Sequence, residues 1–545
     1  MKTKLLIILV IAAFLRLWKL DSIPPHLTPD EAALGYNAYS ILKTGRDEYG
    51  SLFPLIFKSF GDYKPGLYIY TTVPFVALFG LTELSVRLTS ALSGIASVAL
   101  IYFIVRKLSF DDRISYLSVL FLAISPWHIH FSRGAWEITL CLFLTLLGVY
   151  LFLKSIKKQK YLLASSFSFG LTLLTYQGAK LSTLIVVFLL IAFFFKKLIK
   201  IDKKILLGSV LVGVFVSMPV ILSLFQGRAS RLQVFSVFSY PRSESYLENF
   251  LNEAGVKKNS LVYYLFYNEP LNFARGIAGR WFNHFSTRFL FFEGDWQNPR
   301  HSPPNHGMLL LGDVVFFVIG LFLIFRFIPQ KRYLFVLFWL ILAPMPAVLS
   351  RDQVQAVRAF NMTVPLVIIL ALGANTLFKK WKIILTFAII SLSFLYYLDA
   401  YFVHLPKHAS RYWEYGYKEI VQTVVPLQDK YKMIKVQQSY AQPYIYFLFY
   451  GVSLDSQKYN PQNYQKYAHL KESEFGDVGQ VEQLENIYFS AIDWSVARGE
   501  KGVLFVADPI RIPDEDSQDP NLFQLIKKIN YLDGSPAFKI IEVKK

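Results

Sequence analysis

Through residue 400 the chain alternates long apolar runs with short polar connections. Beyond it the runs shorten and mix with polar residues. Apolar runs lie near 4–20, 84–105, 114–127, 137–153, 161–176 and 181–195, then near 205–225, 308–328, 333–349, 361–378 and 383–400. A helix crossing the hydrocarbon of a bilayer needs about 20 mostly apolar residues. The pattern therefore predicts an α-helical polytopic membrane protein with about eleven transmembrane helices. The stretch 67–79 (LYIYTTVPFVALF) is shorter and more aromatic, and is expected to lie along the interface. Residues 401–545 alternate helical text (413–425, 443–450) with strand-like text (433–438, 502–507, 537–543), which predicts a C-terminal α/β domain.

Charge gives these helices a direction. Short loops on one side carry Lys2, Lys4, Arg106, Lys107, Arg113, Lys154, Lys157, Lys158, Lys160, Lys196, Lys197, Lys200, Lys203, Lys204, Arg326, Lys331, Arg332, Lys379, Lys380 and Lys382. The opposite short loops carry only Arg133, Lys180, Arg351 and Arg358. Basic residues collect on the cytoplasmic side. The N-terminus is then inside, and after an odd number of spans the C-terminal domain is outside. The first run offers no small-residue cleavage site around Phe14–Trp18, so it is expected to remain as an anchor. Two regions follow: a transmembrane domain, 1–400, with long outer loops 21–83 and 226–307, and an extracytoplasmic domain, 401–545.

Composition narrows the class further. The chain is 54% hydrophobic and 17% charged, against about a quarter charged in an average soluble domain. The net charge of +19 would suggest nucleic acid on a soluble protein, but residues 401–545 hold 17 Lys/Arg against 18 Asp/Glu. The excess thus lies between apolar runs, and nucleic acid is excluded as a partner. A single cysteine, Cys141, excludes a disulfide framework.

The chemistry-bearing residues gather in the outer loops. Thr28 is placed to cap a helix that starts at Pro29, with Asp30 and Glu31 in its first turn. That alone is ordinary helix capping. However, the helix that follows (Ala33, Tyr36, Ala38, Tyr39, Leu42) reads as amphipathic and is expected on the membrane surface, holding two carboxylates at the water–lipid boundary. Lys64-Pro65 ends the same loop, where a lysine either snorkels or meets a lipid-linked phosphate. In the second outer loop Arg133 and Glu137 are spaced to pair on a helix, and Glu137 heads a span. Tyr176 and Lys180 stand in the third, Arg351 and Arg358 in the fifth. Acids from early loops and cations from later ones describe an outward cavity for an anionic, phosphate-bearing, lipid-tethered substrate.

This order of features resembles the C-type glycosyltransferases of family 39, the protein mannosyltransferase and aminoarabinose transferase group. The residues that carry the likeness are Asp30-Glu31 after the first span, the Lys64-Pro65 turn, Val86-Arg87-Leu88-Thr89-Ser90-Ala91-Leu92-Ser93-Gly94 entering the second span, and Glu137 heading the fourth. The likeness covers about the first 200 residues and, beyond them, the layout only. The family turn often reads Lys-Pro-Pro; here it is Lys64-Pro65-Gly66. The resemblance implies transfer of a sugar from a polyprenyl-phosphate carrier to a protein, lipid or polysaccharide acceptor on the outer face of a plasma (inner) membrane. It makes Asp30 the base or the residue orienting the acceptor. Glu31 and Glu137 would shape the site or help hold a divalent cation, the latter with Asp30 or His128. Lys64, Lys180 and Arg358, with Arg133 and Tyr176 beside them, would bind the lipid phosphate and sugar. No spacing specifies a metal site. Two rivals fit less well. A transporter or flippase of lipid-linked sugars usually shows repeated halves, which are not found here. A ligase or polymerase of lipid-linked glycans is mimicked only by the Arg- and His-bearing stretch 284–306.

Overall fold

The computed structural model describes residues 2–60, 62–225, 236–377, 382–438, 442–467, 469–471, 480–515 and 519–544. The first ten residues of the expected outer loop 226–307, and residues 378–381 of the connection that carries Lys379 and Lys380, lie outside them. The first half runs α1 (Lys2–Leu17), α2 (Pro29–Thr44), the hairpin β1 (Ile56–Ser59) and β2 (Asp62–Pro65), α3 (Leu67–Phe79), α4 (Glu83–Lys107), α5 (Asp112–Ile124), α6 (Pro126–Arg133), α7 (Glu137–Ser155), α8 (Tyr161–Leu173), α9 (Ala179–Leu198) and α10 (Lys203–Phe225).

Among the described residues seven helices are long and apolar enough to cross a bilayer: α4, α7, α9, α10, Lys331–Val348, Phe360–Leu377 and Lys382–Ala409. The run at 114–127 is not one straight helix. It is α5 and α6, bent by 52° at Ser125-Pro126, and counts as an eighth crossing if taken together. Pro126 lacks the N–H that would continue α5, and Ser125 Oγ accepts the His128 amide to start α6 afresh.

The other expected spans are helices but short ones, with 16 residues in α1, 13 in α8 and 14 in Asp313–Arg326. The described helices thus give seven or eight crossings by length where the apolar runs predict eleven. The run at 308–328 shows why. Met308 and Leu309 donate their amides to the carbonyls of Phe289 and Leu290, so these apolar residues pack a loop and leave the helix to begin at Asp313.

Apolar content does not separate inner helices from outer ones. Phe360–Leu377 and α7 are packed on most sides, whereas α9, α10 and Lys382–Ala409 turn Leu184, Phe188, Leu207, Phe215 and Ile384 outward. Such a shell suits lipid.

The chain beyond Ala409 builds a seven-stranded sheet from β3 (Ile434–Gln437), β4 (His469–Lys471), β5 (Gln480–Leu484), β6 (Ile487–Ser490), β7 (Leu504–Ala507), β8 (Phe523–Asn530) and β9 (Pro536–Val543). The spatial order is β4-β5-β6-β3-β7-β9-β8, with β3 parallel to β6 and β7 and the other pairs antiparallel. Helices Tyr417–Val424 and Pro443–Leu454 share a buried apolar cluster with the sheet and with α2.

That packing corrects the expectation for α2. It is not amphipathic in its surroundings, because α3 and α4 cover one side and Pro443–Leu454 another, leaving 11 of its 16 residues buried. A Cβ on Gly35 would stand 2.5 Å from Val86 and 2.6 Å from the Phe449 ring, so the close approach of three helices requires glycine there.

Candidate active site

The first turn of α2 is set by its cap. Thr28 Oγ1 accepts the Glu31 amide at 3.3 Å, Glu31 Oε2 accepts the Thr28 amide at 2.9 Å, and Pro29 occupies the first helical position. This reciprocal box sends the two neighbouring acids in opposite directions.

Glu31 points inward. Its Oε1 accepts from Arg87 Nε at 3.1 Å and from the Ala135 amide at 2.7 Å. Arg87 in turn donates to the carbonyls of Leu20, Pro24 and His26 at 2.7–3.0 Å. One buried ion pair thereby ties α2, α4, the chain after α1 and the α6–α7 turn together.

Asp30 points outward. Its side chain is 57% exposed, and its Oδ1 accepts from Lys64 Nζ, whose own side chain is 9% exposed. Lys64 lies on β2 opposite Phe57 of β1, with Nζ 5.5 Å from the Phe60 ring. Hairpin and cap together put a cation and a carboxylate side by side at the head of a helix, where the dipole favours the anion.

The departure Lys64-Pro65-Gly66 has a steric cause. A Cβ on Gly66 would stand 2.2 Å from the Phe57 ring and 3.2 Å from the Leu55 carbonyl oxygen, so a second proline does not fit beside Phe57.

Other expected residues fall into two groups. Gln177 Nε2 donates to the Tyr63 carbonyl and accepts at Oε1 from Lys180 Nζ at 2.9 Å, while the Leu67 amide donates to the Leu174 carbonyl at 2.9 Å. The loop carrying Tyr176 and Lys180 is therefore fastened to the hairpin that carries Lys64. Glu137, half-buried at the first position of α7, is in electrostatic reach of Tyr68, which also feels Glu31. Tyr68 Oη bonds the Val86 carbonyl at 3.0 Å and Ser90 Oγ at 2.9 Å, and Ser90 bonds the Trp136 backbone.

Arg133 and Arg358 make hydrogen bonds to other parts of the chain. The expected pairing of Arg133 with Glu137 does not form, because α6 ends at Arg133 and a turn separates it from α7. Its guanidinium reaches back to the carbonyls of Leu15, Trp18, Lys19 and Ile23 at 2.7–3.1 Å, capping the end of α1. Arg358 Nη1 donates to Asp352 Oδ2 at 2.8 Å. Asp352 borders a cleft of 540 Å³ shared with Arg280 and Arg351.

His128, considered above as a metal ligand, is buried with Nδ1 2.7 Å from Arg16 Nη2 and its ring stacked on Phe360. Among the described residues no three His, Cys, Asp or Glu side chains converge as a metal-ligand set.

Two residues outside the predicted set bear on Asp30, Glu414 directly and Arg300 through Glu414. Glu414, in the turn after Lys382–Ala409, lies in electrostatic reach of Asp30 and of Arg300. Burial pushes its carboxyl up to about 7, the Arg300 charge pulling down and Asp30 pushing further up. Its Oε2 is closed to solvent and has no hydrogen-bond partner among the described residues, and its backbone is left-handed (φ 55°). A glutamate in that region costs about 1–2 kcal/mol. Arg300 stands in a loop held from both sides, its carbonyl 2.7 Å from His130 Nε2, with His301 Nδ1 2.7 Å from Asp295 Oδ2 next to it. The one signal for Glu414 was its setting in Arg411–Tyr417 (RYWEYGY), an aromatic cluster directly after the last span.

Known proteins bear on this arrangement. Residues 64–222 match the family described as dolichyl-phosphate-mannose-protein mannosyltransferase. That stretch includes Lys64, Arg133, Glu137, Tyr176 and Lys180; Asp30 and Glu31 precede it. A Bacillus subtilis (strain 168) protein, "Putative mannosyltransferase YkcB", is 28% identical over 171 residues, 30% of this chain and 23% of that protein. The match thus spans less than a quarter of the relative's length. Among solved structures, ArnT from Cupriavidus metallidurans bound to undecaprenyl phosphate superposes with a TM-score of 0.53 at 12% identity, covering 99% of this chain and 97% of ArnT. Its apo state gives 0.51 at 13% identity. At such identity the likeness is one of fold. Matched family, relative and fold are all of the C-type glycosyltransferase kind that the first loop resembles.

Proposed function

We propose that this protein is a membrane glycosyltransferase that moves a sugar from a polyprenyl-phosphate carrier to an acceptor hydroxyl, at the end of the helix bundle where α2 begins. The observation that carries this reading is the split at the first turn of α2. Glu31 is consumed by the fold, while Asp30 is presented to solvent beside a cation. A glycosyl phosphate brings its own leaving group. The enzyme then needs a base for the acceptor and cations for the departing phosphate.

In this mechanism the Asp30 carboxylate takes the proton from the acceptor hydroxyl as its oxygen attacks the anomeric carbon. The carbon–oxygen bond to the lipid phosphate breaks, and the phosphate leaves with its electron pair. Lys64, and Lys180 through its tie to the same hairpin, face the charge that builds on that phosphate. Glu31 positions Asp30 by holding the cap, and Glu137 closes the wall behind Tyr68. Arg133 acts at a distance, by fixing the end of α1. Arg358, paired with Asp352, is assigned to the outer rim that the carrier passes.

All eleven apolar runs are assigned as crossings, the short helices completing their passage with flanking residues. The N-terminus is then cytoplasmic, the site and the sheet domain are extracytoplasmic, and the membrane is the plasma membrane. The basic residues of the alternate loops support this orientation.

The test is transfer of radiolabelled sugar from polyprenyl-phosphate mannose in membranes, comparing wild type with Asp30→Asn at matched expression. Labelled acceptor with wild type and none with Asp30→Asn supports the reading. Equal labelling would reduce Asp30 to a helix-capping acid and remove the mechanism.

A further inference from the structure

At the opposite end of α4 the molecule holds a second concentration of charge that transfer chemistry does not use. The 25 residues of α4 span about 37 Å at 1.5 Å per residue, so its last turn lies a bilayer's thickness from Asp30. There a cleft of 370 Å³ opens between the end of α4, the end of α9 and the start of helix Lys331–Leu342. Lys107, Lys196, Lys197 and Lys331 line it, and among the described residues no acidic one does.

These four lysines have no carboxylate partner among the described residues; Arg106 nearby, by contrast, is paired with Asp112 at 3.0 Å. Like charges crowded on one cleft repel unless an anion sits among them. The floor is apolar and rigid: Phe193 and Phe194 pack edge-on against Phe335, with ring centres 5.5 and 6.2 Å apart. Arg332 fixes the mouth. It bonds Gln330 Oε1 at 2.9 Å and the Ser109 carbonyl, and lies over the rings of Phe110 and Tyr333. Helix Lys331–Leu342 begins at the cleft with no side-chain cap on its first amides, which adds partial positive charge.

We infer that this cleft is a binding site for an anionic phospholipid, its phosphate held among Lys107, Lys196, Lys197 and Lys331 and its glycerol and first acyl carbons on the Phe193–Phe194–Phe335 floor. Neither cations nor rings alone specify this ligand. A free phosphate has no use for the aromatic floor, and a neutral lipid has none for four unpaired ammonium groups. The site is independent of the transfer reaction and stands whether or not Asp30 is a base.

The test is native mass spectrometry of the full chain released from detergent, titrated with cardiolipin, phosphatidylglycerol and phosphatidylethanolamine, with inorganic phosphate as a separate arm. The triple variant Lys107→Gln, Lys196→Gln, Lys197→Gln is compared with Lys157→Gln, Lys158→Gln, Lys204→Gln, which removes as much charge from neighbouring loops outside the cleft. The expected result is retention of cardiolipin and phosphatidylglycerol over phosphatidylethanolamine. The cleft variant should lose at least tenfold in affinity and the control variant less than threefold. Thermal midpoints of both variants are measured without lipid, so that misfolding is seen directly. Equal losses in the two variants would mean general attraction of lysine loops to anionic lipid, and would overturn the site. Phosphate displacing lipid at equal concentration would also overturn it, since the aromatic floor would then contribute nothing.

Discussion

The end of the bundle where α2 begins contains two regions that use charge differently. Along the inner seam Glu31, Arg87, Arg133 and Arg16 are buried, and their polar atoms go mainly to one another and to carbonyls at helix ends. Along the exposed lip Asp30 pairs with Lys64, and Glu414 lies in electrostatic reach of Asp30 and of Arg300. Seam charges organise backbone that would otherwise leave carbonyls unsatisfied in an apolar setting. On the lip, Asp30 is 57% exposed and Glu414 Oε2 has no hydrogen-bond partner among the described residues. Conserving charge type would therefore matter in both regions, but substitution should cost stability in one and activity in the other.

The largest expected effect is on the lip. Asp30→Asn should lower sugar transfer by about 10²–10⁴-fold, the usual contribution of a positioned base, while leaving the thermal midpoint close to wild type. A comparable loss of stability in this variant would move Asp30 into the seam. Arg87→Leu attacks the seam itself and leaves Glu31 as an unpaired buried charge, at a cost of about 3–5 kcal/mol. Fluorescence-detected size exclusion after a heat step should show most of the folded protein lost; survival at wild-type temperatures would mean the ion pair is not a brace.

Lys64→Ala should raise the KM for polyprenyl-phosphate donor by roughly 10–100-fold, as for loss of a charged hydrogen bond of about 1.5–3 kcal/mol. An effect on kcat alone would place Lys64 with the acceptor instead. Gly66→Ala tests the wall behind it. Overpacking against Phe57 should destabilise by about 1–3 kcal/mol, and adding Phe57→Leu should recover part of that in the same melt.

The last effect is a slope, not a loss at fixed pH. Glu414 holds its proton up to about 7 when folded and to an ordinary 4.5 when unfolded. Between those values the folded state binds more protons, so stability falls as pH rises from about 4.5 to about 7 and is level above. Glu414→Gln should flatten that part of a melting-temperature profile, and an unchanged slope would show that another group sets it.

The sequence was most informative where pattern and chemistry coincide. Apolar runs locate helices well, since each of the eleven falls on one. They cannot show where such a helix ends, because a leucine packed in a loop looks like one facing lipid, as Met308–Leu310 illustrate. The cap at Thr28, with Asp30 and Glu31 in the first turn, was legible because capping chemistry is local, whereas the contact of Lys64 with Asp30 spans 34 positions. The roles of Arg87 and Arg133 were not, since their partners are carbonyls 61–118 positions away. Nor was Glu414, one acid among 18 in the last 145 residues, which no periodic pattern distinguishes.

The rings that the C-terminal sheet domain lays on α2 have a consequence for synthesis. Tyr446 Oη holds the Leu27 carbonyl at 3.0 Å, just ahead of the cap, and the Tyr459 carbonyl receives Tyr36 Oη at 3.2 Å. The partners are separated by 419 and 423 positions, so Leu27 and Tyr36 wait for residues made more than 400 positions later. At about 5–20 residues per second that wait is roughly 20–80 s. During it the nascent protein, already threaded into the bilayer, lacks one side of the packing around α2. A stalled or truncated chain would be left with that packing unfinished, and quality control would have time to remove it.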